Sequence, residues 1–165
     1  MEIKELELHA NLIRKNILTE VHSANSGHPG GSLSGADILT EIYFEQMDIN
    51  KGNVDSIDRD RFVLSKGHAS PLLYGTLKEK GLLDDDLTTF RKINSNLQGH
   101  PNMNEVAGVD MSTGSLGQGI SCAVGMAIVN KLVDKNNHRI YCLLGDGECE
   151  EGQVWEACMA AAHYK

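Results

Sequence analysis

The stretch RIYCLLGDGECEEGQVWEA, residues 139–157, decides the fold class, because it passes from a strand pattern to a helix pattern across a glycine-rich turn. Its first six residues form a short apolar run that is typical of a buried strand. Gly145–Asp146–Gly147 follow that strand, and because glycine has no side chain the backbone there is accessible to a ligand. A helix is predicted to begin near Glu150. A strand followed by a tight turn and a helix is the repeating unit of α/β proteins with a parallel sheet.

A second stretch of the same design lies upstream. RFVLS, residues 61–65, predicts another buried strand, and it ends abruptly at Gly67–His68. In parallel sheets, ligands bind outside the carboxyl ends of the strands. We therefore expect a ligand site where the Gly-His and Gly-Asp-Gly turns follow their strands.

The rest of the chain is mainly helical by its apolar spacing. Ser34 is the predicted N-cap of the second helix, and Pro71 and Gly81 mark the first turn and the end of the third. Helices are predicted over residues 6–24, 36–47, 69–81, 84–93, 117–135 and 150–165, with loop over 94–116. Two strands are fewer than the roughly five or six of a doubly wound sheet. We therefore expect residues 1–165 to form a single α/β domain, a parallel sheet flanked by helices, that is incomplete at its C-terminus.

Composition excludes several classes of protein. The net charge is −8, from 15 basic and 23 acidic residues, which argues against a nucleic-acid or anionic-membrane surface. No apolar run approaches the roughly 20 residues of a membrane span, and the charged start is unlike a signal peptide. Four cysteines without C-x-x-C spacing argue against a zinc site and for a reducing, cytoplasmic compartment. Cys122 and Cys142 lie in apolar runs and are predicted to be buried.

Asp146 is the first candidate for chemistry. A carboxylate at a strand end suits Mg²⁺ or Ca²⁺, which prefer oxygen ligands, and the following helix start favours a bound diphosphate. The alternative is an ordinary β-to-α turn with a capping aspartate, because Gly-Asp-Gly alone is weakly specific. The glycines of STGSLGQG, residues 112–119, could likewise approach a ligand, although taken alone they favour tight helix packing.

Three histidines form the second candidate group. His28, His68 and His100 each follow a glycine in a loop, and an imidazole can donate, accept or transfer a proton near neutral pH. A zinc triad is disfavoured, since none of the three is paired at i, i+4 and no nearby cysteine completes a set. A polar cleft for a hydroxylated, phosphorylated substrate is the other interpretation. The remaining histidines are interpreted as surface or hydrogen-bonded residues: His9, His22, His138 and His163.

Five stretches together resemble the N-terminal part of transketolase, a thiamine diphosphate enzyme. The form is most similar to the N-terminal subunit of split transketolases. The matching stretches occur in the family's order: SGHPGGSLSGADIL (26–39), RDRFVLSKGHASPLLY (59–74), GHPN (99–102), STGSLGQG (112–119) and GDGECEEGQVWEA (145–157).

The resemblance implies a role for each matching position. Asp146 would bind the Mg²⁺ or Ca²⁺ on the cofactor's diphosphate. His28 and His100 would face the substrate and handle its hydroxyl protons, and Glu151 and Glu156 would lie at a dimer interface. Cofactor contacts are implied at five positions: His68, Leu116, Gly117, Asp146 and Gly147.

The implied activity is transfer of a two-carbon ketol unit from a ketose phosphate to an aldose phosphate, with thiamine diphosphate as cofactor. The family's cofactor motif closes with paired asparagines that fall after Lys165, and its essential glutamate lies in another domain. A C-terminal subunit or domain and homo-oligomerisation are therefore implied as partners. Two other hypotheses stay open: a non-catalytic fragment or assembly module, and another thiamine diphosphate enzyme such as a deoxyxylulose-phosphate synthase.

Overall fold

The computed structural model describes residues 1–164 and contains two short parallel strands among six helices. The strands are β1 (Arg61–Leu64) and β2 (Ile140–Leu143). The helices are α1 (Ile3–Ala24), α2 (Pro29–Leu33), α3 (Ala36–Glu41), α4 (Ser70–Glu79), α5 (Gln118–Ile128) and α6 (Gly152–Tyr164). None of the helices in residues 1–164 is both long and apolar enough to cross a membrane.

The two strands pair in parallel, with Arg61 beside Ile140 and Leu64 beside Leu143. The connection between them carries α4 and α5, as a parallel crossover requires. The predicted α/β class, a parallel sheet flanked by helices, is confirmed. Because both strands run the same way, the turns that follow them lie at one edge of the sheet.

The core lies where α1, α3 and α4 pack on one another, and Phe62 and Leu64 of β1 belong to the same apolar cluster. Helix α1 buries Ala10, Ile13 and Ile17 at spacings of three and four, which is the apolar stripe that its sequence predicts. The rings of Tyr43 and Phe62 meet edge to face with centroids 5.5 Å apart. This contact holds the segment that follows α3 against β1, and the loop after β1 forms part of the site described below.

The predicted limits of α4 are confirmed. Pro71 stands in its first turn, where the missing N–H leaves no hydrogen bond unmade. Gly81 follows the helix with a φ of +77°, a left-handed conformation that glycine adopts without strain.

Two sequence predictions about helices are wrong. Ser34 does not cap α3: Gly35 occupies that position, and the Ser34 hydroxyl donates to the Gly31 carbonyl at 3.3 Å. The reason is that α2 already occupies the preceding residues and leads almost directly into α3. The helix predicted over residues 84–93 is a single turn, Leu87–Thr89, and the chain then reverses at Arg91, which has a φ of +59°.

The cysteines are less buried than predicted. Cys122 and Cys142 are half-buried, and all four cysteines are free thiols. Burial is the main cause that raises the pKa of the Cys142 thiol to about 12, so this sulfur stays protonated and unreactive at neutral pH.

Candidate functional site

The site lies at the carboxyl edge of the sheet, where the turns after β1 and β2 stand side by side. The ladder extends one residue past the strands, because the Ser65 N–H donates to the Leu143 carbonyl at 2.9 Å. Lys66, Gly67 and His68 follow Ser65 into a tight turn, and Gly145–Asp146–Gly147 follow β2. The sheet thus places both glycine-containing turns together, as parallel strands predict.

His28 and His68 are in direct contact. Their rings meet edge to face with centroids 5.0 Å apart. His28 precedes α2, whose first turn contains Pro29, and this short helix passes close to His68. A Cβ built on Gly31 would lie 3.5 Å from His68 Nε2, so the glycine allows the backbone to run close to the imidazole.

His100 borders the same region through the loop that precedes α5. A Cβ built on Gly114 would lie 3.1 Å from His100 Cδ2, and one built on Gly67 would lie 2.6 Å from the Thr113 carbonyl. The loop is therefore packed between the turn after β1 and the His100 imidazole. The structure brings the three glycine-preceded histidines close together at the carboxyl edge of the sheet.

Burial is the main cause that lowers the pKa of His68, and the nearby His28 and Lys66 lower it further. His100 adds to this effect, while Glu148 opposes it. The neutral imidazole is therefore favoured at His68. A neutral ring donates one hydrogen bond and accepts one, which suits contact with a polar ligand without adding charge.

Lys66 is a site residue that the sequence analysis did not identify. Its side chain is 7% exposed, and Nζ donates to the Gly31 carbonyl at 2.9 Å. Burial lowers the pKa of Lys66, whereas Asp146 and Glu148 raise it. A buried cation thus links the turn after β1 to α2 and lies within electrostatic reach of the Gly-Asp-Gly turn.

Glu148 is the second residue that was missed, and it is 2% exposed. Its Oε1 accepts hydrogen bonds from the Ser65 hydroxyl at 2.5 Å and the Gly117 N–H at 2.9 Å, and its Oε2 accepts one from the Gly145 N–H at 2.9 Å. One carboxylate therefore joins three loops at the edge of the sheet. The available signal was its place directly after Gly-Asp-Gly.

The remaining candidate residues border this cluster. Asp146 is exposed at the start of the turn after β2, and no described atom outside the immediate chain comes within 4 Å of a Cβ built on Gly147. Gly117 has a φ of +82°, and its Cβ position lies 3.2 Å from Glu151 Cβ. Leu116, beside it, is 38% exposed.

Glu156 lies farther along α6 and is exposed to solvent. The structure therefore brings Glu151 to the candidate site but leaves Glu156 on the outer surface of its helix. The interface role of both residues stays a prediction.

Metal binding within residues 1–164 would rest on Asp146. No group of three or more His, Cys, Asp or Glu side chains in this range is arranged to hold a metal ion. Asp146 would thus provide a single carboxylate, and the other oxygen ligands that Mg²⁺ requires would come from water, a phosphate or protein outside this range.

These features define an α/β domain with three histidines grouped beside a Gly-Asp-Gly turn at the carboxyl edge of a parallel sheet, the kind of site that suits a phosphorylated ligand. Residues 6–165 match the family model of the transketolase thiamine diphosphate binding domain, and the chain belongs to this family.

Similar proteins include complete transketolases and components of split ones. Human transketolase is 44% identical over 165 residues, which are 99% of this chain and 26% of that protein. An apulose-4-phosphate transketolase subunit of Phocaeicola vulgatus is 43% identical over 166 residues, which are 100% of this chain and 58% of that protein. The 6-deoxy-6-sulfo-D-fructose transketolase subunit SqwG of Clostridium sp. is 46% identical, over 95% of this chain and 57% of that protein.

Solved structures agree with this assignment. The transketolase of Campylobacter jejuni superposes with a TM-score of 0.85 at 42% identity, over 96% of this chain and 26% of that one. The transketolase of Leishmania mexicana also superposes with a TM-score of 0.85, at 38% identity, over 92% of this chain and 24% of that one. The chain therefore spans about a quarter of the transketolases and just over half of the split subunits that it matches.

Proposed function

We propose that this chain forms the thiamine diphosphate-binding part of a transketolase-type enzyme. The enzyme would move a two-carbon ketol unit from a ketose phosphate to an aldose phosphate, together with a second subunit or further domain. The observation that carries the proposal is the grouping of His28, His68 and His100 beside the Gly-Asp-Gly turn at the carboxyl edge of the sheet.

The residues at this edge fit a diphosphate and its metal ion. A Cβ on either Gly30 or Gly147 would meet no described atom within 4 Å, so the backbone at both positions leaves room for a bulky ligand. Lys66 provides a nearby positive charge, and exposed Asp146 provides a hard oxygen ligand for Mg²⁺ or Ca²⁺. When bound, thiamine diphosphate supplies a carbanion-stabilising centre for breaking and forming the C2–C3 bond of a sugar.

The chain's own residues would bind the ligands and move protons. The half-buried His68 would donate a hydrogen bond to the diphosphate in its neutral form, because burial lowers its pKa. His28 and His100 are more exposed and would exchange protons with the sugar hydroxyl groups. The Gly117 N–H already donates to Glu148, so any cofactor contact there would use other atoms of residues 116–117.

A partner is part of this proposal. Two similar proteins bear the name of a transketolase subunit, which supports the expectation of a separate C-terminal subunit. Glu151, directly before α6, and Glu156, within α6, would lie at a homodimer interface. The free thiols of all four cysteines suit a reducing cytoplasm.

Calorimetry tests the proposal. Thiamine diphosphate and Mg²⁺ are titrated into the protein with and without a C-terminal transketolase subunit, and ketol transfer between sugar phosphates is then assayed. We expect cofactor binding and transfer in the assembled enzyme. No cofactor binding by the chain alone and no transfer with the partner would favour a non-catalytic fragment or assembly module. Transfer from pyruvate instead of a ketose phosphate would favour a synthase of the deoxyxylulose-phosphate type.

A further inference from the structure

We propose that Glu148 is a positioning residue that assembles the three loops of the cofactor site before the cofactor binds. The identity of the cofactor rests on the proposed function above. The arrangement of the loops around one buried carboxylate does not, because it is a feature of the chain without ligand.

The three hydrogen bonds of Glu148 come from three different parts of the chain. Ser65 directly follows β1, Gly117 immediately precedes α5, and Gly145 follows β2. The loops already pack on one another, since a Cβ built on Gly119 would lie 2.7 Å from Ser65 Cα, and the carboxylate adds a hydrogen bond to each of them. Ser65 and Gly117 lie 83 and 31 residues from Glu148 in sequence, so the carboxylate joins segments that the chain itself does not hold together.

The chemistry of the donors requires an acceptor at this position. Two of the three are backbone N–H groups, which can only donate. Both oxygens of Glu148 accept, which is the pattern of an ionised carboxylate. A glutamine would present an amide NH₂ to at least one of the three donors, so that a buried donor would lose its partner.

The loops that Glu148 holds are those of the candidate site. Gly145 and Asp146 are adjacent, so fixing the Gly145 N–H orients the turn that carries the proposed metal ligand. Gly117 has a left-handed φ of +82° and lies next to Leu116. Ordering these loops in advance reduces the entropy that cofactor binding would otherwise have to overcome.

The first test is hydrogen exchange in the complete, cofactor-free protein. In Glu148→Gln, we expect the Gly117 and Gly145 amides to exchange faster than in the wild type. Glu150→Gln is the matched control, because Glu150 lies in the same turn but is exposed. Its amide exchange at both glycines should equal that of the wild type.

The second test is cofactor affinity in the assembled enzyme, measured by titration with thiamine diphosphate and Mg²⁺. Glu148→Gln should bind about tenfold more weakly, since an unsatisfied buried donor is penalised to roughly that extent. The turnover number at saturating cofactor should recover to within about twofold of the wild type, because binding energy can order the loops. A merely structural defect would lower turnover at every cofactor concentration.

Ser65→Ala provides a second variant in case Glu148→Gln does not fold. It removes one donor and leaves the carboxylate on the two backbone amides, so we expect an affinity loss of a few-fold, about that of one neutral hydrogen bond. Unchanged exchange and unchanged affinity in the folded variants would overturn the inference while the proposed function stood. A wild-type enzyme that binds no cofactor would overturn both.

Discussion

Glu20 shows what a single residue can do to the stability of this domain. It lies on the buried face of α1, its side chain is 0% exposed, and neither carboxyl oxygen has a hydrogen-bond partner among the described residues. A Cβ built on Gly75 of α4 would lie 3.6 Å from its Oε1. Desolvation raises the pKa of Glu20 from 4.5 to about 10, so the side chain is neutral in the folded protein at pH 7.

We predict that Glu20→Gln removes a pH dependence of folding. A raised pKa means that the folded state holds a proton that the unfolded chain releases above its ordinary value. The contribution of Glu20 to stability is therefore fully present below pH 4.5 and is lost as pH rises towards the folded-state pKa of about 10. Glutamine stays neutral, so the variant should be more stable at pH 7 by about 3 kcal/mol, for two to three pH units at 1.36 kcal/mol each.

Urea unfolding of the wild type and Glu20→Gln at pH 5 and pH 8 checks this prediction. Glu7→Gln is the control, since Glu7 is exposed on the same helix. The difference in free energy of unfolding between Glu20→Gln and the wild type should increase from pH 5 to pH 8. The difference between Glu7→Gln and the wild type should not change. If the free energy of unfolding changed equally with pH in all three proteins, Glu20 would not be buried in its neutral form.

His100 offers a prediction about turnover. In the assembled enzyme, His100→Ala should lower kcat about a hundredfold, the usual effect of losing a general acid or base. Thiamine diphosphate affinity should stay nearly unchanged, because the proposed function assigns His100 to the sugar hydroxyl groups and not to the cofactor. His22→Ala, on the exposed end of α1, is the control. An equal loss of turnover and cofactor affinity would place His100 in the cofactor site instead.

The sequence predicted the residues of the site unevenly. His28, His68, His100 and Asp146 were identifiable because glycines flank them and two of them follow a strand. Lys66 and Glu148 lie beside the same motifs, but their roles depend on partners far away in sequence: the Gly31 carbonyl for Lys66 and the Gly117 amide for Glu148. The spacing of neighbouring residues in the sequence does not predict hydrogen bonds between segments that lie this far apart in the chain.

At the scale of elements, the start of α5 packs unusually close to β1. A Cβ built on Gly119 would lie 2.6 Å from Ser65 Oγ and 2.7 Å from Ser65 Cα. Backbone atoms cannot move aside as a flexible side chain can, so the contact requires glycine. The sequence analysis favoured tight packing for these glycines when taken alone, and at Gly119 that interpretation describes the contact.

We predict opposite effects for two substitutions in α5. Gly119→Ala should destabilise the protein by about 1–3 kcal/mol, because the added methyl group forces the helix away from the strand. Gly125→Ala is the matched control in the same helix, where a Cβ meets no described atom within 4 Å. It should stabilise the protein by up to about 1 kcal/mol through helix propensity. Thermal unfolding measures both, and equal shifts would contradict the packing argument.

Helix boundaries were predictable where one residue type determines the backbone, as Pro71 and Gly81 do for α4. The prediction over residues 84–93 was wrong because local hydrogen bonds favour a turn. The Asp86 carboxylate accepts from the Thr88 N–H at 2.9 Å, and Arg91 and Asn94 adopt positive φ values of 59° and 65°. Polar residues in these conformations end a helix without the glycine or proline that marks such a point in sequence.

At the scale of the whole molecule, a buried ion pair joins the long loop over residues 94–116 to the sheet. The Arg59 guanidinium makes a two-point contact with the Asp110 carboxylate, at 3.1 and 2.6 Å. Asp110 also accepts from Arg61 at 3.1 Å and from the Phe62 N–H at 2.8 Å. The pair spans 51 residues and anchors the loop that leads to the candidate site. The sequence patterns did not predict this ion pair, because its two residues come together only in the folded chain.

The last prediction compares this pair with a second arginine–aspartate pair, Arg14 with Asp37, which lies at the surface. Asp110→Asn should lower the free energy of unfolding by about 3 kcal/mol or more, because it leaves the Arg59 charge buried without its counter-ion. Asp37→Asn should lower it by less than about 1 kcal/mol, since water already solvates the exposed carboxylate. Both values come from urea unfolding at pH 7 and again at high salt. Added salt should diminish the small effect of Asp37→Asn and leave that of Asp110→Asn nearly unchanged, because buried charges are poorly screened. Equal losses in the two variants would mean that water reaches the Arg59–Asp110 pair, and the long loop would then be held to the sheet by its apolar contacts instead.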